Sequence, residues 1–473
     1  MIPRKTKIIC TIGPASQSIE VLVQLIEKGM DIARLNFSHG THENHAELIS
    51  NIREASIITN KQVAILQDLQ GPKIRIEEVE ENGVFIKDGD ELIITSEALP
   101  IGNAEIVSTS YKDLPTDLKP GNILLLDDGY LILKVHKIIG ERIYTKIIKG
   151  GLLKSRKGII APGVSFSAPS LSDKDLDDLK FGLSHGIDVV ALSFVRNVRD
   201  IIELKTTMRI FGRSVPIIAK IELPEALKGI NEILSECDAI MVARGDLGLE
   251  MPPEEVPLIQ KDLIKRSNFF GKPVITATQM LESMVSNPRP TRAEASDIAN
   301  AVLDGTDCVM LSAETGTGKY PIEAVDYMCR IVKAIEDKYP ITDNRREQSR
   351  YEEADVSDAI GKATCLLAEQ VNASAIVTFT NSTLTAKKIA KYRPRVPIIA
   401  ITHDAHVHRR LNFVWGVTSL FIEQETDYVN NIDLLKPHLL NCEFIHSGNL
   451  IVFVSGLTEN SFGNDNMVKL FYV

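Results

Sequence analysis

Six cysteines in 473 residues, Cys10, Cys237, Cys308, Cys329, Cys365 and Cys442, form no C-x-x-C pair. That absence excludes a zinc-ligand pattern and a disulfide framework. Most of them sit inside apolar runs, as free buried thiols do. No run approaches the roughly 20 apolar residues that span a bilayer. The opening MIPRKTKIICTIG is basic but lacks the apolar stretch of a signal peptide, so the expected location is cytoplasmic. Positive charge is in deficit: 53 Lys and Arg against 63 Asp and Glu give a net charge of −10. No global cationic field draws in nucleic acid or a membrane, and any phosphate site must be built locally. The string GTGK at 316–319 is not a phosphate loop, because the pattern needs glycine at 313 and a hydroxyl at 320, where Ala313 and Tyr320 stand. Internal repeats and low-complexity tracts are lacking too.

The length calls for two to four domains. Eight short β-branched runs, 7–13, 31–38, 63–70, 188–194, 215–222, 239–247, 273–279 and 308–312, recur through the first 338 residues. All but one is followed by helical apolar spacing. Near-continuous apolar strands with helices between them predict a parallel sheet, and eight such units predict a (β/α)8 TIM barrel built from 1–71 and 169–338. The exception is an insertion, 72–168, whose closely spaced extended runs read as a small all-β lid domain. In it, Asp128-Gly129 between two apolar runs predicts a two-residue hairpin, with Asp127 and Asp128 as turn residues. The charge- and amide-rich stretch 339–356 reads as a linker. Alternation then resumes in 357–473, an open α/β domain with strands at ASAIVTFT, VPIIAIT, LIVFVSG and MVKLFYV.

Barrels of this kind gather reactive groups at the C-terminal ends of their strands. Those ends hold Arg34, Asn36, Ser38 and His39, then Asp68 with Arg75, then Ser193, Lys220, Glu222, Arg244, Asp246, Thr276, Thr278, Gln279, Ser312 and Glu314. Two carboxylates, a lysine and two free arginines at one mouth suit a divalent metal with a phosphorylated acid. Lys220 in IIAKIE must be paired or reactive, because burying an ammonium alone is costly; Glu222 could serve as that partner. Asp246 could equally cap a helix, and Ser312 and Glu314 read as local helix-start residues.

The strings TKIICTIGPAS, ARLNFSHG, LQGPKIR, AKIE, MVARGDLG, TATQMLESM, PRPTRAEASD and MLSAET stand in the order seen in pyruvate kinases, and the chain resembles that family over its whole length. The resemblance implies phosphoryl transfer from phosphoenolpyruvate to ADP, giving pyruvate and ATP. It implies Mg²⁺ (or Mn²⁺) held by Glu222 and Asp246. Lys220 and Arg34 match the residues that hold the transferring phosphoryl group, and Thr278 matches the hydroxyl near the enolate methylene. Ala243, Arg244 and Gly245 match the segment whose backbone holds the substrate carboxylate, with Ser193 in the same pocket. Arg75 and Lys157 match phosphate-contacting residues of the nucleotide site, to which Asn36 and His39 also belong. A homotetramer is the family expectation. The competing reading, another metal-dependent barrel enzyme handling phosphoenolpyruvate or pyruvate, would share the carboxylates but not the lid arginine and lysine together with ARLNFSHG.

Two departures from the family pattern matter. Potassium-dependent members carry glutamate where this chain has Lys73, and a Thr-Lys pair where it has Leu69-Gln70. A fixed ammonium supplies the charge that K⁺ would bring and repels the ion. The expectation is therefore an enzyme that needs no K⁺, although Asn36, Ser38 and Asp68, which match K⁺ ligands, are kept. In the C-terminal domain, Thr380, Asn381, Ser382, Thr383, Leu384 and Thr385 end a strand and open a helix, as a loop holding an effector phosphate would. Thr383 replaces the usual glycine there.

Overall fold

The computed structural model describes residues 3–339, 356–423, 432–455 and 467–473. Eight strands, Lys7–Thr11, Ile32–Asn36, Ala64–Asp68, Val189–Leu192, Ile217–Ile221, Ala239–Ala243, Val274–Ala277 and Cys308–Leu311, close into a barrel. Every neighbouring pair is parallel, and the first strand closes the ring against the last, Lys7 opposite Cys308 and Cys10 opposite Leu311. Alternate residues point inward: Ile9, Leu66, Ala191, Ile218, Met241 and Ile275 fill the interior, while Ile8, Cys10, Ile65 and Val190 pack under the surrounding helices. Helix starts are set by side chains reaching back onto the first turn, as in the reciprocal caps Thr41/Asn44, Ser172/Asp175, Asn197/Asp200 and Thr291/Glu294. The sixth run ends sooner than its sequence suggests. Residues 244–247 are not strand: Arg244–Glu250 is a short helix.

Between the third and fourth barrel strands lies a six-stranded sheet in the order Ile159–Ile160, Ile123–Leu126, Leu131–Ile139, Arg142–Lys149, Glu91–Thr95 and Ile106–Ser108, with its own apolar core. The expected two-residue hairpin is longer. Leu126 pairs with Leu131, so the connection is the four residues Asp127 to Tyr130, with positive φ at Asp127, Asp128 and Gly129. Three consecutive left-handed residues need the short acids and the glycine found there.

The C-terminal sheet is five-stranded, in the order Val417–Phe421, Ile398–Thr402, Ala375–Phe379, Leu450–Ser455 and Met467–Tyr472, with only the last strand antiparallel. Val417–Phe421 carries no clear alternation and escaped the sequence reading. This unit docks under the barrel. Phe413, 5% exposed, is packed into the barrel interior cluster, Gly416 N–H donates to the Lys5 carbonyl, and Lys7 Nζ donates to that of Val417. Most of the linker 339–356 lies outside the described residues, which stop at Tyr339 and resume at Val356. All six cysteines are free thiols, five of them buried.

Candidate active site

The ends of five adjacent strands bring together a closed network of charges and hydroxyls. Arg34 donates through Nε to Asp68 Oδ2 at 2.7 Å and through Nη1 to Thr11 Oγ1 at 2.8 Å. Lys220 Nζ lies 2.9 Å from Glu222 Oε1 and 3.2 Å from Asp68 Oδ1, and donates to Ser193 Oγ at 2.7 Å. The Ser193 hydroxyl in turn donates to the Leu69 carbonyl at 2.7 Å. Burial works to neutralise Lys220, but Asp68 and Glu222 outweigh it and raise its pKa, so the ammonium is permanent. Burial likewise opposes the Asp68 charge, and Lys220 and Arg34 overcome it and hold its pKa below the ordinary value. Glu222 goes the other way. Burial, with the Asp246 charge adding to it, pushes its carboxyl up against the pull of Lys220 and a 2.7 Å bond from the Phe194 N–H. A buried carboxylate facing a second one is the environment that a divalent cation relieves.

Backbone strain surrounds this network. Phe194, Thr278 and Gln279, all at strand ends, have positive φ, which costs a bulky or branched residue about 1–3 kcal/mol. Phe194 is held by its bond to Glu222. Thr278 is held from both sides: its hydroxyl accepts from the Gly245 N–H at 3.0 Å, and its carbonyl accepts from Arg244 Nη2 at 2.6 Å. Arg244 is in turn clamped by Asp297 at 2.7 and 2.8 Å. The two arginines read as free are therefore not so. Arg34 is paired with Asp68, and the Arg244 side chain is turned into the protein, which leaves the backbone of Ala243, Arg244 and Gly245 as that segment's contribution. Glu314 is fully buried and accepts from Leu281 N–H and Ser312 N–H, as a local structural acid.

A second cluster faces the insertion. Partial burial and the positive charges of Arg75, Lys73, Arg34 and Lys174 hold the His39 imidazole below its ordinary pKa, so the sequence-scattered cations converge there. Asn36 and Ser38 close the turn beneath them, the Ser38 N–H donating to Asn36 Oδ1 at 3.2 Å. Gly71 sets the first chain crossing. Its φ is +69°, and a side chain there would stand 2.9 Å from Phe194 Cδ2. Lys157 points within the inserted domain, 2.7 Å from Asp127 Oδ1, and the tip of that hairpin meets the barrel, with Leu249 Cδ2 3.7 Å from a Cβ placed at Gly129. Between the two domains is a partly open cleft, lined by Lys73, Phe166, Phe194, Arg196, Asp246 and Glu250 among others.

In the C-terminal domain, Thr380 is buried and its hydroxyl donates to the Ser382 carbonyl, while the Ser382 hydroxyl accepts from Leu384 N–H at 3.3 Å. Two hydroxyls of the expected effector loop are thus engaged within it. Thr383 precedes the helix Leu384–Ala390 without a side-chain cap bond.

Sequence reasoning passed over Thr11, Phe194, Asp297 and Glu250, and read Asp127 as a turn residue without its lysine partner. Asp297 lay in the quoted string PRPTRAEASD, but a helical acid gives no hint that it reaches an arginine 53 residues away. Phe194 offered only a strand-end aromatic, whose left-handed φ no pattern announces.

A parallel barrel carrying a buried lysine between two carboxylates, a third acid beside them and a cationic corner under a β insertion defines a metal-assisted phosphotransferase. Comparison with known proteins narrows the class. The family model "Pyruvate kinase, barrel domain" matches residues 3–325, and "Pyruvate kinase, alpha/beta domain" matches 358–471. A pyruvate kinase of Geobacillus stearothermophilus is 46% identical over 475 residues, covering 99% of this chain and 80% of its own. One of Clostridium acetobutylicum is 41% identical over 99% of both chains. The solved structure of a pyruvate kinase from Cryptosporidium parvum matches with a TM-score of 0.91 at 40% identity, over 99% of this chain and 96% of that one. The chain belongs to the pyruvate kinase family, and its activity is phosphoryl transfer from phosphoenolpyruvate to ADP, the step that yields pyruvate and ATP in glycolysis. The family uses a divalent metal. No described helix is long and apolar enough to cross a membrane.

Proposed function

We propose that phosphoenolpyruvate binds with its phosphoryl group against Lys220 and Arg34, and its carboxylate against the backbone of Ala243, Arg244 and Gly245. The observation carrying this reading is the Lys220 ammonium, kept charged by Asp68 and Glu222 at 3.2 and 2.9 Å. Phosphoryl transfer asks a protein mainly for positioning and charge neutralisation, which a fixed, permanently charged group supplies without reorganising. Glu222 and Asp246 fit a hard cation: both are carboxylates, and the raised pKa of Glu222 reflects a repulsion that Mg²⁺ or Mn²⁺ would remove. When bound, the metal would supply charge stabilisation for the enolate and phosphoryl oxygens. Substrate oxygens would complete the coordination. The Thr278 hydroxyl, accepting from Gly245 N–H, has its own proton to place toward the enolate methylene. Ser193 orients Lys220.

Arg75, Lys157, Asn36 and His39 form the nucleotide side. Lys157 must exchange Asp127 for phosphate, which a closing movement of the inserted domain would bring about. Residues 1–71 with 169–338 then act as the catalytic unit, 72–168 as a lid and 357–473 as a regulatory unit responding to a phosphorylated effector at 380–385, in a cytoplasmic homotetramer. Lys73, bordering the same cleft as Asp246 and adding to the cations around His39, stands in for K⁺. Leu69, buried at 1% exposure, has no oxygen in its side chain to replace the threonine of potassium-dependent members. The test is pyruvate formation in a Mg²⁺ buffer balanced with tetramethylammonium. Full activity without K⁺ is expected, and Lys73→Glu becomes weak unless K⁺ is added. A strong K⁺ requirement in the unmodified protein refutes the role of Lys73.

A further inference from the structure

The turn at 37–41, between the strand Ile32–Asn36 and the helix His42–Ile58, is gripped by side chains from two directions. From within the helix His45 reaches back. Its Nε2 lies 2.9 Å from the His39 carbonyl, and its ring stacks on that of Phe37 with centroids 3.9 Å apart. A carbonyl only accepts, so Nε2 carries the proton, and Nδ1 is left buried without a partner among the described residues. Burial holds this imidazole below its ordinary pKa, which favours the neutral ring. Gly40 makes room for it: φ is +81° there, and an added Cβ would stand 3.3 Å from His45 Nε2. From the helix Asp173–Ser184, Lys174 Nζ donates to the Phe37 carbonyl at 2.6 Å. Asp178, one turn further on and 3% exposed, fixes Lys174 at 2.5 Å and His42 Nε2 at 2.8 Å. The carbonyls on either side of Ser38 are thus both taken by side chains rooted in helices.

We propose that His45 and Lys174 are positioning residues for ADP, locking the backbone of 37–40 so that His39 already faces the nucleotide before it binds. The proposal rests on the reading that His39 belongs to the nucleotide side. The turn holds itself weakly, through Ser38 N–H to Asn36 Oδ1 at 3.2 Å and His39 N–H to the Asn36 carbonyl at 3.3 Å. Ordering it during folding removes that cost from the binding step, which is how preorganisation gains affinity. The orphaned Nδ1 separates this role from plain packing. An apolar side chain would fill the space beside Phe37 with no buried ring nitrogen left unmatched, and such a nitrogen is costly. What the histidine adds over a hydrophobe is one bond, and that bond fixes the position of the His39 carbonyl. The effect is also directional. Phosphoenolpyruvate, held by Lys220, Arg34 and the backbone of 243–245, makes no use of the turn, so a loosened turn acts on ADP alone.

The experiment measures KM for ADP and for phosphoenolpyruvate in the full chain with Mg²⁺, each at saturating co-substrate. His45→Leu fills the space of the ring without its donor. It is expected to raise KM for ADP by about fivefold or more and to leave KM for phosphoenolpyruvate within about twofold. His45→Gln, whose amide N–H reaches about as far as Nε2, is expected to restore most of the loss. His39→Ala is expected to raise KM for ADP by itself, and His45→Leu added to it to cost little more, because the group being positioned is already gone. A purely structural His45 would instead lower the thermal midpoint with both KM values unchanged, or raise the two together, and either result overturns the proposal. So does a full multiplication of the two effects in the double variant. An unchanged KM for ADP in His39→Ala overturns the nucleotide reading and this proposal with it. A raised value there, beside unchanged values in His45→Leu and Lys174→Met, overturns the proposal alone. Should His45→Leu fail to fold, Lys174→Met, at a side chain 48% exposed, takes its place in the same cycle with His39→Ala.

Discussion

Lys220 and Lys387 are both enclosed lysines, and the protein treats them in opposite ways. Lys220 has two carboxylates within 3.2 Å, and its pKa is raised; Lys387 faces Lys272 with no acid in contact, and its pKa is lowered. Burial penalises both ammonium groups alike, so the difference lies wholly in the neighbours. At the barrel mouth the charge is fixed before any substrate arrives, as a transition-state cation must be. At the domain junction Asp238 and Asp307 pull on the charge without offsetting burial.

The largest way to break the contrast is to delete the compensated lysine. Lys220→Met is expected to leave folding and Mg²⁺ binding largely intact while phosphoryl transfer falls roughly 10³-fold or more. Proton exchange at the pyruvate methyl, followed by isotope loss, is expected to survive better, since it depends on Thr278 and the metal more than on this charge. An equal collapse of both in a folded variant removes the division of roles.

Removing the acid is the next step down. Asp68 holds both Arg34 and Lys220, so Asp68→Asn leaves two cations facing each other at a buried strand end. Breaking a buried pair from one side costs about 3–5 kcal/mol; because Glu222 still holds Lys220, we expect about 2–4 kcal/mol in urea unfolding. The pH dependence follows from the sign of the shift. Asp68 has a folded pKa below its unfolded value, so its stabilisation is present above the ordinary carboxylate value of 3.8 and is lost as pH falls through the depressed one. The variant lacks that acid-side loss, and an unchanged acid profile contradicts the pairing.

The contrast also marks how far sequence carries. Lys220 in IIAKIE announces its need for a partner, because an ammonium inside an apolar strand allows few alternatives, and the eight strands themselves follow from β-branched runs with helical spacing between them. Asp68 as the second partner was beyond reach, since pairing across neighbouring strands depends on register. Lys387 in TAKKIAKY looks like an ordinary helical lysine, and only the docking of two domains makes it enclosed. The helix at Arg244–Glu250 was missed for a related reason: MVARGDLG continues an apolar run, and the turn is imposed by Asp297 and Thr278 through space. Long-range contacts of this kind leave no periodicity to read.

A smaller effect tests the uncompensated lysine. Lys387→Met removes a charge that the fold disfavours, so the thermal midpoint is expected to rise. Stability of the unmodified chain rises with pH between the lowered pKa of Lys387 and the ordinary value of 10.5, and the variant loses this one rise. A lower midpoint in the variant means that Lys387 is already satisfied by the protein.

Glu250 is the acidic counterpart of Lys387 and gives the smallest effect. Its carboxyl is pushed up to about 7 by burial first, then by Glu225 and Asp246, against a bond from the Gly163 N–H. The group borders the cleft between the barrel and the inserted domain, and Gly163 lies on the return crossing of that domain, so its charge bears on how the two meet. Here the folded pKa stands above the unfolded one. The fold therefore holds a proton that the open chain releases, and stability falls as pH rises from the ordinary value of 4.5 to about 7, staying lower beyond. The full shift would correspond to about 3 kcal/mol at roughly 1.4 kcal/mol per unit, but solvent reaches part of the group and screens it, leaving about 1 kcal/mol or less. Glu250→Gln mimics the protonated form. It is expected to leave the thermal midpoint unchanged at pH 5 and to raise it by about 1–2 °C at pH 8, flattening the profile between. Adding Mg²⁺ narrows the difference, because a cation near Asp246 removes one of the repulsions acting on Glu250. An equal gain at both pH values would assign the effect to packing instead of charge.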